Sequence, residues 1–287
     1  MVGRRSPPSE GLTPAPTRLT ARCAGSCYPA DPAEALPFFA QALRKVAPQK
    51  KIPLDPRYPI VPHIDFRVNL DLYAQTYALW RDANWFPTRI VILGVGHRCP
   101  AELASLPVGY QTLLGGVEAD NDLFSSLSST CPFLGSETRG FQGEHSIEFV
   151  VIWLQALRDL FFPGRSFTIL PILCGGLQPA VEAGAPPCET SPESVFARSL
   201  GKLSHDPDTA IVASIDGCHV GPRFQHPFAA DKKIRAQVAE WEKKLWALAS
   251  TETLSGFFQH LGTNRNGFYF DGVGVLHALL AGQNLRA

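Results

Sequence analysis

Charge of one sign is what this chain lacks most plainly: 26 Lys and Arg face 26 Asp and Glu, so the formal net charge is zero. No Lys/Arg-rich run breaks that balance, which argues against a nucleic-acid partner. No apolar stretch reaches the ~18 residues that suggest a membrane span. The first twenty residues carry arginines without the apolar segment of a secretory signal. Patterns that cradle phosphates are missing too. There is no GxxxxGK(S/T) loop and no GxGxxG behind a strand, so no nucleotide cofactor is expected, and no GxSxG elbow offers a serine nucleophile. The seven cysteines are scattered and odd in number, with no pair-of-pairs CxxC framework for structural zinc. Cys23 and Cys27 read as two reduced thiols near a turn. The expected compartment is the cytoplasm.

What is present starts with length. A chain of 287 residues can form one large α/β domain or two smaller ones. Residues 1–20, rich in Pro, Ser and Thr, read as a disordered leader. Past them no linker or internal repeat is visible, so residues 21–287 are expected to form a single domain.

Four apolar runs share one plan, each stopping at a polar residue that can bind metal. They lead to His63, His97, Cys174 and Asp216. Runs rich in Ile and Val suit strands buried on both faces of a parallel sheet. Open α/β sheets bind ligands outside the carboxyl ends of their strands. If the four are neighbours, these residues gather along one rim. Between them the periodicity predicts helices over residues 31–46, 70–80, 144–161, 192–203 and 231–250. Short helices are expected near residues 254–260 and 273–280. Residues 100–141 lack clear periodicity and are expected to hold strands and loops, and residues 180–192 a surface loop. The alternation argues for a three-layer α/β/α sandwich with a mostly parallel or mixed sheet.

Candidate chemistry falls in three places. His63 and His97 each follow an apolar run and a turn signal, and two such imidazoles can form two corners of a three-ligand metal face. Asp216 and His219 lie within a turn of each other; a carboxylate can hold a histidine in one tautomer for proton transfer. The ordinary role of a loop Asp is to cap a helix start. Glu144, His145 and Glu148 open a helix without the second histidine of HExxH. Acidic residues there suit the helix dipole, whereas the dipole disfavours a cationic His145 and leaves a neutral imidazole. Cys174 is expected to pack rather than react. His205, His226, His260 and His277 have no partner pattern and read as surface or structural.

Taken together, AGSCYPADP (24–32), PHID (62–65), ILGVGH (92–97), EHSIEF (144–149), ILPILCGGL (169–177) and ASIDGCHVGPRF (213–224) resemble the Memo-like family, known in prokaryotes as AmmeMemoRadiSam system protein B. That family is similar in fold to the class III extradiol dioxygenases, the LigB-like fold. The resemblance implies that His63 and His97 bind metal, and that His145, Asp216 and His219 line the same cleft. It also exposes a departure. Family members carry a Cys-Gly pair near the carboxyl end whose Cys completes the site, yet no Cys follows Cys218 here. Asn266, Phe268 or a neighbour takes that place; Asp271 would supply a carboxylate, or Asp216 or Cys218 would move in. Asp65, within PHID, reads as a supporting residue.

With Asp271 as third ligand the face would be two histidines and one carboxylate, which suits Fe(II); losing a thiolate disfavours Cu(I). Three functions compete: a dioxygenase-type, non-haem iron oxidoreductase, a non-catalytic peptide- or protein-binding member with a degenerate site, and a hydrolase using zinc-activated water. The partner expected in the cleft is a small molecule or a peptide. Copper and zinc are the alternative metals to iron.

Overall fold

A computed structural model describes residues 18–49, 55–135, 139–203, 205–251 and 253–283. The expected leader lies outside the described residues up to residue 17, and its last three residues, Arg18–Thr20, form strand β1. Helix α1 (Pro32–Lys45) is capped by Asp31, whose side chain accepts from the Ala33 N–H, with Pro32 where a missing N–H costs least. Strand β2 (Ile60–Val61) leads to α2 (Phe66–Asp82), and β3 (Arg89–Val95) follows. The aperiodic stretch holds three short strands, β4 (Leu103–Ser105), β5 (Gly109–Thr112) and β6 (Gly115–Ala119), then α3 (Asn121–Thr130). Next come α4 (His145–Phe161) and β7 (Thr168–Cys174). Helix α5 (Gln178–Ala183) occupies the start of the expected surface loop, ending at Gly184 with φ 61°. Then follow α6 (Pro192–Leu203), β8 (Thr209–Ser214), α7 (Lys232–Ser250), α8 (Leu254–Gly262) and α9 (Val273–Gln283).

The strands make one sheet in the order β1-β5-β6-β7-β3-β8-β2, with β4 antiparallel to the end of β7. The run from β6 to β2 is parallel throughout. Alternation along the central strands sorts the core into two layers. In β3, Ile90 and Ile92 pack with α1, α2 and α4 around Phe39, Tyr77 and Trp153. Val91, Leu93 and Val95 face the opposite layer, with Phe196 of α6, Phe257 of α8 and Leu276 of α9. A period of two against helices on both faces is the signature of the sandwich. Pro171 interrupts β7 where β6 has ended at Ala119 and β4 has not begun, so its missing N–H deprives the ladder of little.

Helix α4 is buried on every side from Ser146 to Leu157, not along a single stripe. Its buried Ser146, Glu148 and Gln155 side chains are paired; Gln155 accepts from the Thr112 hydroxyl and donates to the Gly115 carbonyl. The helix approaches β3 so closely that a Cβ on Gly94 would stand 2.6 Å from Ile147 Cδ1 and from Ser146 Oγ.

His260, His277 and His226 behave as structural residues. His260 meets the Trp241 carbonyl at 2.9 Å and His226 the Gly267 carbonyl at 2.8 Å. His277 is buried in α9 beside Phe258, and burial pushes its pKa down to about 4. Unfolded, the same ring titrates near ~6.5. Between these values the unfolded chain binds more protons, so stability is lost as pH falls through this window. His277→Leu should therefore flatten the urea-midpoint profile between pH 7 and 4.5, removing about 3 kcal/mol of pH dependence. An unchanged profile would show that the ring is not held neutral.

Candidate metal centre

Parallel register turns three strands into one ledge. His63, His97 and Asp216 each stand two residues past the end of their strands, β2, β3 and β8, which are neighbours in the sheet. The turn before α9 brings Asp271 over the same rim, and the amino end of α4 brings Glu144 and His145. All except Glu144 line one cleft of about 740 Å³, with Phe149, Phe224 and Tyr269 in its walls. Cys174 ends the fourth strand, but its side chain is buried in the layer beneath and burial pushes its thiol pKa up, as expected of a packing residue.

His63 is the buried centre of the group. Its Nε2 lies 3.1 Å from Asp271 Oδ2 and 3.8 Å from Asp216 Oδ2, and its Nδ1 lies 3.3 Å from Ser214 Oγ. The Nε2–Asp271 hydrogen bond places a proton on Nε2; moving that proton to Nδ1, where it would be donated to Ser214, frees the Nε2 lone pair that a metal would take. His97 Nε2 lies 4.0 Å from the same Asp271 oxygen. The His97 ring stands 5.2 Å from His63 and 4.7 Å from His145, centroid to centroid. Ligand atoms of His63, His97 and His145 fall within 4.8 Å of one another, and so do those of His63, Asp216 and Asp271.

Burial works against charge on His63, but the Asp271 hydrogen bond and the Asp216 and Asp271 charges outweigh it and raise its pKa. A field that favours a proton at this place also favours a metal cation there. His145 feels the opposite balance: burial, then repulsion from His63 and His97, pushes it down to about 4. It is the neutral imidazole that its place at a helix start suggested.

The candidates for the third donor sit in different surroundings. Asn266 spends its amide on the Phe270 backbone, donating to the carbonyl at 2.8 Å and accepting from the N–H at 3.0 Å. Phe268 packs edge-on against Trp241. Cys218 lines an adjoining groove, with Leu72, Glu242 and Trp246, that meets the cleft at Asp216 and His219. Of Asn266, Phe268, Cys218 and Asp271, Asp271 is the one that lines the cleft, and its Oδ1 is a buried oxygen without a hydrogen-bond partner among the described residues. A buried acceptor left unpaired costs free energy unless something binds it. The donor set fits a metal ion.

Asp216 neither caps a helix nor holds His219. Its Oδ1 accepts the His63 backbone N–H at 2.8 Å, locking two strand ends together. The His219 ring is set instead by the Tyr269 carbonyl at 3.2 Å from Nδ1. Asp65 caps α2 and pairs with Arg67 at the cleft edge. Glu144 is the residue missed from sequence. It caps α4 and also meets His97 Nδ1 at 3.0 Å and His145 Nδ1 at 3.4 Å. Its burial raises its pKa, but the His97 hydrogen bond and charge overcome this and hold it below the usual carboxylate range. A carboxylate behind a histidine directs the other ring nitrogen outward, the arrangement that supports metal-binding histidines. The only signal in the sequence was its adjacency to His145.

An α/β/α sandwich whose strand ends carry clustered histidines and carboxylates defines a protein with a metal-capable cleft. The chain belongs to the Memo-like family: the profile described as "Memo-like protein" matches residues 19–284. It is 29% identical over 266 residues to a MEMO1 family protein of Thermus thermophilus, covering 90% of this chain and 72% of that one. A MEMO1 family protein of Aquifex aeolicus is 28% identical over 215 residues, 74% of this chain and 51% of the relative. The "Protein memo-1 homolog" of Caenorhabditis elegans is 24% identical over 183 residues, 62% of this chain and 48% of its own. The match spans about half the length of the Aquifex and Caenorhabditis relatives. No helix among the described residues is long and apolar enough to cross a membrane.

Proposed function

We propose that the chain is a non-haem metal-dependent oxidoreductase of dioxygenase type, with His63, His97 and Asp271 as the metal ligands. The observation that supports it is the single oxygen, Asp271 Oδ2, reaching towards both imidazoles while its twin Oδ1 lies buried and unpaired. Two histidines and one carboxylate make the face that suits Fe(II) with positions left open. Bound iron would supply the redox change and Lewis acidity that the side chains lack. The residues do the rest. Glu144 and Ser214 fix the His97 and His63 rings, and Asp216 ties the His63 backbone. Neutral His145 accepts a proton, and His219 carries one at the cleft wall. Phe149, Phe224 and Tyr269 offer ring faces to an aromatic or apolar part of a small molecule or peptide.

Elemental analysis after anaerobic, near-native purification tests this directly. One metal per chain is expected, iron before copper or zinc, and His63→Ala with His97→Ala should release it. Iron-loaded protein should consume oxygen with some member of a catechol panel. A chain that retains no added Fe(II) and consumes no oxygen would sink the proposal. Glu144→Gln should leave the fold intact and weaken Fe(II) retention by roughly 10–100-fold, the usual cost of losing the group behind a metal-bound histidine. Competition with a chromogenic chelator measures it.

A further inference from the structure

Cys23 and Cys27 also line the cleft, and the oxidoreductase proposal gives them no role. They sit on one tight turn, where the Cys27 N–H donates to the Cys23 carbonyl at 2.9 Å and the Ser26 N–H to the same carbonyl at 3.1 Å. The turn brings the backbone of Cys27 back against that of Cys23, and both side chains line the same cleft. Each thiol raises or lowers the other's proton affinity, and the Asp65 carboxylate bears on that of Cys27. Neither sulfur is in a disulfide. The turn is also rigidly placed. Buried Glu148 of α4 accepts the Arg22 N–H at 2.7 Å and the Cys23 N–H at 2.8 Å, so the thiol pair is fixed to the helix whose first residue is His145.

We propose that Cys23 and Cys27 form a second metal site in this cleft, a bis-thiolate clamp for one thiophilic cation of the Cu(I) type. The chemistry selects the ion. Structural zinc takes four ligands, catalytic zinc takes three protein ligands and a water, and no third His, Cys, Asp or Glu donor closes into a cluster with this pair among the described residues. A soft d10 cation is satisfied by two thiolates, and thiolate softness selects it over Fe(II). Binding exchanges the two thiol protons for the cation, so affinity rises with pH. The cleft then offers an oxygen-and-nitrogen set at the rim of the sheet and a sulfur set at its wall, sorted by ligand softness. This site does not depend on the rim histidines.

The test is an anaerobic Cu(I) titration of the full chain against a chromogenic Cu(I) chelator, with ultraviolet thiolate-to-metal charge-transfer absorbance as a second readout. One tightly held Cu(I) with that absorbance is expected in the native chain. The same is expected after His63→Ala with His97→Ala, and after Cys188→Ser, which removes an exposed thiol elsewhere. Cys23→Ser and Cys27→Ser should each weaken it by more than about a hundredfold, beyond what loss of a mere supporting residue costs a metal site. Circular dichroism and urea midpoints confirm folding, and Cys27→Ala serves if a serine variant misfolds. Unchanged affinity and absorbance in the folded cysteine variants would overturn the proposal. So would loss of the absorbance in the histidine variant with both thiols intact.

Discussion

Asp271→Asn should cost the cleft more than about a hundredfold in Fe(II) affinity, while Asp271→Cys should redirect it toward softer ions. The size follows from position. Supporting residues behind a ligand are worth roughly 10–100-fold, and a donor atom should exceed them. Asparagine keeps the shape and removes the charge, so the side-chain oxygen near His63 and His97 becomes a weak neutral donor. It also strips His63 of its nearest anion, and that anion offsets the burial of the ring. Cysteine supplies from this position a thiolate like the one that family members carry near the carboxyl end, and soft ligands select Cu(I) over Fe(II). The measurement is chelator competition with Fe(II) and Cu(I) in parallel, backed by elemental analysis of protein purified without added metal. If Asp271→Asn holds Fe(II) as tightly as the native chain, the third donor is Asp216 or His145, whose ligand atoms also lie within 4.8 Å of His63. The same substitution in Asp216 would then carry the loss.

Strand ends made this site legible before any coordinates. Buried parallel strands write themselves as runs of Ile and Val, and a sheet of such strands brings its carboxyl ends together, so His63, His97 and Asp216 could be grouped from spacing alone. Helix caps were equally readable, because Asp31 and Asp231 act on amides two and three residues away. What stayed hidden was set by long-range pairing. Residues 100–141 have no period of their own; their short strands exist because β7 and β1 complete them, and α3 starts where Asp120 caps it while also binding Arg89 and Thr168. Spacing alone offers Asp216 either a helix start or His219, three residues on, whereas its carboxylate accepts from the His63 backbone, 153 residues away. Glu144 and Glu148 looked alike in the first turn of a helix. Their carboxylates part company only in three dimensions, one toward His97 and the other toward the amino-terminal segment.

That second carboxylate carries a large effect on stability. Glu148 is buried and accepts from the Arg22 N–H, the Cys23 N–H and the Tyr28 hydroxyl, the last at 2.7 Å. Glu148→Ala leaves all three donors without their acceptor at once. Each unsatisfied buried donor costs about 1–3 kcal/mol, and the two amides are only partly buried, so a loss of about 3–5 kcal/mol in urea unfolding is expected. Tyr28→Phe is the informative contrast. It removes a donor and leaves the carboxylate its two backbone partners, so about 1 kcal/mol should be lost. Hydrogen exchange locates the damage: in Glu148→Ala the amides of Arg22 and Cys23 should lose protection while those in the middle of α4 keep theirs. Because Cys23 is one wall of the cleft, this variant should also weaken soft-metal binding without touching a sulfur. Should Glu148→Ala prove no more destabilising than Tyr28→Phe, the anchor of the amino-terminal segment lies elsewhere, and the rigid placement of the thiol pair loses its support.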